Sequence, residues 1–321
     1  MDPLTTHRSP HHSPACTTAV PCRARARAPP SLETLTSAPD LNTLAPDTQV
    51  LVTPIYLAGP GPRTPVLDVL DNAPGWTKAV PFDNTDTYFT SPCQRVRISN
   101  TADSYFGGWT ITYAEDPLGV PDWITTFDRN TPQEIVAGFA TTLVDSLPSN
   151  FRHYFSDGPH YPGDGHEDIF RRHNWQLVRG SRPYWNISPD GYAGVRTRSG
   201  WIHEYDELLT PAQSMWRISA GAEPRLTPNW RAFLTRTTLP HLRAAAANVI
   251  TSNDAVVRRV EEIPELHRPL VHARLAVPTA TAPLSQAALA RTPHVPQFST
   301  ATRPTPPAHL PPQHGRSRRQ R

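Results

Sequence analysis

The densest set of chemically capable side chains in this chain of 321 residues is His153, Asp157, His160, Asp164, His166, Glu167 and Asp168. Imidazoles and carboxylates so close together could hold a hard or borderline metal ion. The stretch aligns, however, with residues 56–76, which carry neither histidines nor a matching acidic cluster. It therefore reads as a solvated loop, with no metal and no cofactor. His7, His11, His12, Cys16 and Cys22 are a second set of potential ligands, at spacings that fit none of the usual zinc patterns. Cys93 is a lone thiol after a strand turn, a place where cysteine usually serves as a small core residue. No nucleophile elbow, P-loop, dinucleotide glycine pattern or His-Glu-x-x-His pair occurs. The chain does not read as an enzyme.

Arginine and tryptophan offer binding chemistry instead. The net charge of +3 hides an asymmetry: residues 50–148 carry −6, residues 170–250 carry +6, and residues 266–321 hold eight arginines and no acid. Arg179, Arg182, Arg196, Arg198, Arg217 and Arg231 in the basic stretch, with Arg318 and Arg319 in the tail, are the candidate contacts to nucleic acid phosphates. Tryptophan supplies either of two things. On an open sheet face its ring stacks on bases; between sheet and helix it fills a core. Duplicated tryptophans favour the core, because a copied unit brings a copied core with it.

The duplication itself is the strongest pattern. Tyr56, Gly59, Pro60 and Trp76 recur at the same intervals as Phe155, Gly158, Pro159 and Trp175. Trp109, Ile111, Pro117, Pro121 and Trp123 recur as Trp216, Ile218, Pro224, Pro228 and Trp230, and Ser91-Pro92 recurs as Ser188-Pro189. Period-two alternation predicts strands around Val96 and Ile98, over Trp109–Tyr113 and over Trp123–Phe127, with counterparts at Val195, Trp216 and Trp230. Thr64-Pro65 opens a short helix. Thr131-Pro132-Gln133-Glu134 reads as a capping box before a helix whose apolar stripe is Ile135, Phe139, Leu143 and Leu147. A second helix starts at Pro240 and is expected to run on through Val260 towards Pro264. Residues 200–205 have no counterpart and read as an inserted strand or loop. The expected fold is α+β: two tandem units, each an antiparallel sheet of about four strands with one helix on a face.

Composition sets the limits. Prolines, 38 in all, crowd the ends, so residues 1–46 and 266–321 read as disordered arms around domains at 47–150 and 151–265. Three cysteines, no apolar run of membrane-spanning length and no signal peptide point to a soluble, cytoplasmic protein.

Tyr56-Leu57-Ala58-Gly59-Pro60-Gly61, the Ser91-Pro92 and Ser188-Pro189-Asp190-Gly191 turns, the paired tryptophans and Thr131-Pro132 together resemble the SPDY-type domain of unknown function. The resemblance covers roughly residues 48–252 and implies tandem copies and a streptomycete or related actinomycete host. It implies no catalytic residues. Cys93 stands where the signature has Asp, and neither copy follows that position directly with Tyr. Two functions remain open: a non-catalytic module that binds nucleic acid through the basic second copy and the tails, and a protein-interaction module that uses unpaired sheet edges.

Overall fold

The structure, a computed structural model, describes residues 39–276 apart from 83–85, 103–106, 156–157, 162–164, 180–182 and 211–212. The His/Cys arm at 7–22, Asp157, Asp164, Arg182, Arg318 and Arg319 lie outside the described residues.

After β1 (Gln49–Thr53), a first series runs α1 (Thr64–Asp71), β2 (Thr77–Ala79), β3 (Thr87–Thr90), β4 (Val96–Thr101), β5 (Gly108–Tyr113), β6 (Trp123–Phe127) and α2 (Gln133–Ser146). A second runs α3 (His166–Arg172), β7 (Gln176–Val178), β8 (Tyr184–Ile187), β9 (Ala193–Thr197), α4 (Glu204–Leu209), β10 (Trp216–Ala220), β11 (Trp230–Leu234) and α5 (Pro240–Thr251). β12 (Val256–Arg259) and β13 (His272–Leu275) follow. Apart from α4, the order of elements is the same in both series.

The mixed α+β architecture with antiparallel sheets matches the expected class. Ten of the thirteen strands described, though, form one sheet in the order β2-β3-β4-β5-β6-β11-β10-β9-β8-β7. β6 and β11, the last strand of each series, pair antiparallel with Phe127 opposite Ala232 and Thr125 opposite Leu234. The sheet therefore runs unbroken across residue 150, and its outer edges are β2 and β7. Each series supplies five strands where about four were expected. β2 and β7 have three residues each, too few to show an alternation.

The helices gather on one face because the alternating strands put their large side chains there. Ile135, Val136, Phe139 and Leu143 of α2 are fully buried. Phe139 meets Trp123 and Phe127 edge-on, at 6.4 and 5.5 Å between ring centres. Phe170 of α3 lies 6.2 Å from Trp216. Of the paired tryptophans, Trp109, Trp123, Trp216 and Trp230 are at most 2% exposed and Trp175 is buried, while Trp76 is only partly buried. Trp109 donates its indole N–H to Gln133 Oε1 at 2.8 Å, and Trp230 donates to the Tyr56 carbonyl at 2.9 Å. Rings held this way offer no face to a base. A second, smaller sheet has the order β12-β1-β13 over Val50, Val52, Val260 and Ile263. Arg258 of β12, fully buried, clamps Glu134 of α2 through two bonds of 2.7 and 2.6 Å.

Four local expectations are corrected. Thr131 does not cap α2: its hydroxyl donates to Asp128 Oδ1 at 3.3 Å, and Pro132 occupies the cap position without a side-chain bond. Glu134 turns to Arg258 because a two-pronged, charge-assisted pair outweighs one bond to a backbone N–H. α5 stops at Thr251, where Ser252 turns extended (ψ 142°) and exchanges hydrogen bonds with Asp254; the β-branched Val256 and Val257 then enter β12. The insertion at 200–205 is loop as far as His203, as expected, but then enters a helix, α4. Order also extends beyond residue 266, because β13 completes a backbone ladder with β1 from Val50↔Leu275 to Thr53↔His272.

Candidate functional site

The face of the large sheet opposite the helices carries the basic chemistry. Strand register lines up one side chain per strand: Val178, Trp185, Arg196, Arg217 and Phe233 across β7, β8, β9, β10 and β11. The same row continues through Thr126, Thr110, Ser99, Tyr88 and Ala79 of the first series. Arg231 sits two residues from Phe233, opposite Ser219. Arginines at 196, 217 and 231 thus project from three adjacent strands onto one patch.

The patch is electrostatically uncompensated. Among the described residues none of Arg196, Arg198, Arg217 and Arg231 forms an ion pair with a carboxylate. The Nε atoms of Arg196, Arg217 and Arg231 are buried without a hydrogen-bond partner. Burial, then the neighbouring charges of Arg196 and Arg231, push the Arg217 pKa down to about 10. Arg196 is lowered too, by burial and then by Arg198. Arg196, Arg217 and Arg231 thus each keep a buried N–H that nothing satisfies, and no carboxylate stands in ion-pair contact to offset the charge. The nearest carboxylate, Asp128, is engaged with the backbone: it accepts from the N–H of Arg231 at 2.6 Å and of Asn130 at 3.0 Å. Burial raises its pKa to about 6 in spite of these bonds and the Arg231 charge.

Trp185 completes the patch. Its ring crosses β9 at Gly194, where an added Cβ would approach the indole to 3.1 Å. Above it stand the Arg217 guanidinium at 5.0 Å and that of Arg225 at 5.7 Å, so the indole is only 8% exposed. The first series has Ser99 and Thr110 at the row positions that Arg196 and Arg217 hold in the second. Four of its described acids lie away from the row: Asp68 and Asp71 on α1, Asp116 and Asp122 in the β5–β6 turn.

Of the arginines expected at an interface, 196, 198, 217 and 231 come together, while Arg179 is exposed beyond the end of the edge strand β7. Trp185 and Arg225 escaped sequence reasoning because the internal alignment sets residues of other types, Tyr88 and Leu118, against them. Their one signal was phase: Trp185 alternates with Asn186, which faces the helices. In the histidine-rich loop, His153 and His160 stack with 5.6 Å between ring centres. Among the described residues no group of three or more His, Cys, Asp or Glu is placed to hold a metal ion.

The two serine-proline turns share one geometry. Ser91 Oγ accepts from the Val96 N–H at 3.0 Å, and Ser188 Oγ from the Ala193 N–H at 2.8 Å. In the second turn Asp190 takes hydrogen bonds from Ser188 Oγ and Tyr56 OH, both at 2.6 Å. Burial and this bond raise the Tyr56 pKa above the usual phenol range. In the first turn Cys93 stands beside Ser91 at 3.4 Å. Residues 90–149 match SPDY, a domain of unknown function (DUF317). The SPDY match begins at the end of β3, takes in β4, β5, β6 and α2, and leaves the arginine patch outside it. No curated protein and no solved structure matches the chain. A cleft of about 780 Å³ borders the second turn, lined by Tyr56, Trp175, Asp190 and Tyr192 among others. Asp190 accepts from Ser188 and the Tyr192 N–H within the turn and from Tyr56 far along the chain, so it braces the β8–β9 turn against the segment around Tyr56. No helix among the described residues is long and apolar enough to cross a membrane.

Proposed function

We propose that this protein is a non-catalytic binding module that takes nucleic acid through the arginine patch on β9, β10 and β11. What carries the reading is one observation: Arg196, Arg217 and Arg231 share a sheet face with no ion-pair partner among the described residues. Nucleic acid phosphates supply the missing negative charge. The arginine-rich tail adds loose, salt-sensitive contacts. The two series are copies of one ancestral unit, a reading supported by their shared order of elements, and only the second became basic on this face. The excess of arginine over the single lysine fits a high-GC genome, the SPDY resemblance suggests an actinobacterial host, and the few cysteines favour the cytoplasm.

Fluorescence anisotropy of a labelled oligonucleotide with the full chain, over a salt series, tests the proposal. The R196A/R217A double variant is expected to bind more weakly and to lower the log–log salt slope by roughly 1.5. Unchanged affinity and slope would move binding away from this face, and failure of the full chain to bind at low salt would end the reading. A second function, recruitment of a protein strand, is favoured by the outer edges: every residue of β2 and β7 is exposed. Light scattering across a concentration series checks for self-association through these edges.

A further inference from the structure

Trp185 differs from the core tryptophans of the sheet in its phase: it stands in the row of Arg196 and Arg217, and two guanidiniums lie over its ring. One side of the indole rests on β9 at Gly194; over the ring stand the guanidiniums of Arg217 and Arg225. Arg225 is exposed and belongs to the β10–β11 turn, so it is free to swing. Arg217 also donates to the Arg225 carbonyl at 3.4 Å, a long and weak bond. A phosphate offers both arginines a stronger partner than an aromatic face does, since charge-assisted pairs exceed cation–π contacts at solvated sites. The arginines that meet the phosphates are therefore the ones that hide the ring.

We propose that Trp185 is a latent stacking platform: phosphate contacts draw Arg217 and Arg225 off the indole, and an unpaired base of a single-stranded nucleic acid takes their place. This rests on the preceding reading of the patch and names the form of nucleic acid it selects. A duplex cannot use the site, because its bases already stack on one another and its grooves are read by protruding helices or ribbons. A single strand presents an unstacked base beside each phosphate. Gly194 is part of the device, because any side chain there would tilt the ring out of the sheet surface.

The test compares three ligands of equal length against the full chain at one low salt concentration: a poly-dT strand, an abasic phosphodiester strand and a duplex. Expected is weaker binding of the abasic strand by roughly 5- to 100-fold, the usual worth of one stacked base, with the duplex no tighter than the abasic strand. W185L should bind poly-dT and the abasic strand alike, whereas R225A should weaken both. Because the ligand comparison uses the unaltered protein, a W185L that fails to fold leaves it decisive. Equal affinity of wild type for poly-dT and the abasic strand, or tighter binding of the duplex, overturns the platform while leaving the phosphate patch standing. Absence of binding to all three overturns both.

Discussion

At the scale of single residues, the two serine-proline turns show how one backbone tolerates unequal sequences. Gly191 has φ 82° in one turn, and Gln94 has φ 60° at the matching place in the other. Only glycine adopts that region freely, so Gln94→Gly is expected to stabilise the fold by roughly 0.5–1 kcal/mol, read from denaturant midpoints. Ionisation at buried positions runs in two directions. Burial lowers the pKa values of His166 and His241 to about 4, so the folded state favours the neutral rings and loses stability as pH falls from about 6.5 towards 4. Asp128, raised to about 6, works in the opposite sense: its ionisation costs stability as pH rises from about 4 to about 6, on the order of 2–3 kcal/mol. Asp128→Asn removes the opposing component, so its denaturation free energy should fall more steeply than wild type between pH 6.5 and pH 4. A shallower fall would show that Asp128 ionises freely in the native protein.

At the scale of elements, the contact between α2 and α5 depends on one missing methyl group. A Cβ on Gly138 would lie 2.4 Å from Val249 Cγ2, inside any tolerable contact. Gly138→Ala should gain helix propensity yet lose about 1–3 kcal/mol by forcing the helices apart. Adding Val249→Ala restores room, so the double variant should fall short of the summed losses by about 1–2 kcal/mol in a mutant cycle. Additivity would mean that the helices shift freely. The apolar stripe Ile135, Phe139 and Leu143 was visible beforehand as a four-residue period, whereas the helix partner was not. Periodicity reveals that a face must be covered and leaves open what covers it. The capping reading at Thr131 failed for a related reason: Arg258, which captures Glu134, lies 124 residues further along the chain. Helix α5 was extended too far because three valines suit a strand as well as a helix, and the Ser252–Asp254 turn decided between them.

At the scale of the whole molecule, the β6–β11 junction turns two series of elements into one sheet. Asp128 accepts the Arg231 N–H, and Thr235 Oγ1 accepts the Ile124 N–H at 3.1 Å, so both ends of the junction are closed by a side chain after the strand. Opening it would bare two strand edges and split the core shared by α2 and α5. Unfolding is therefore expected as one transition, with Trp109→Phe and Trp216→Phe variants giving the same midpoint by fluorescence and by circular dichroism. Separate midpoints would show that the series fold independently.

The alternation of residues 109–113 and 216–220, the tryptophans at 109, 123, 216 and 230 and the excess of arginine over residues 170–250 already pointed to strands, an aromatic core and a basic stretch. Those features are read along the chain itself, without knowing which segments meet in space. Tertiary structure alone decided that β6 meets β11, that Arg196, Arg217 and Arg231 share a face, and that Trp185 lies beneath two of the arginines. Register across strands is set by packing between distant segments, which no local spacing encodes.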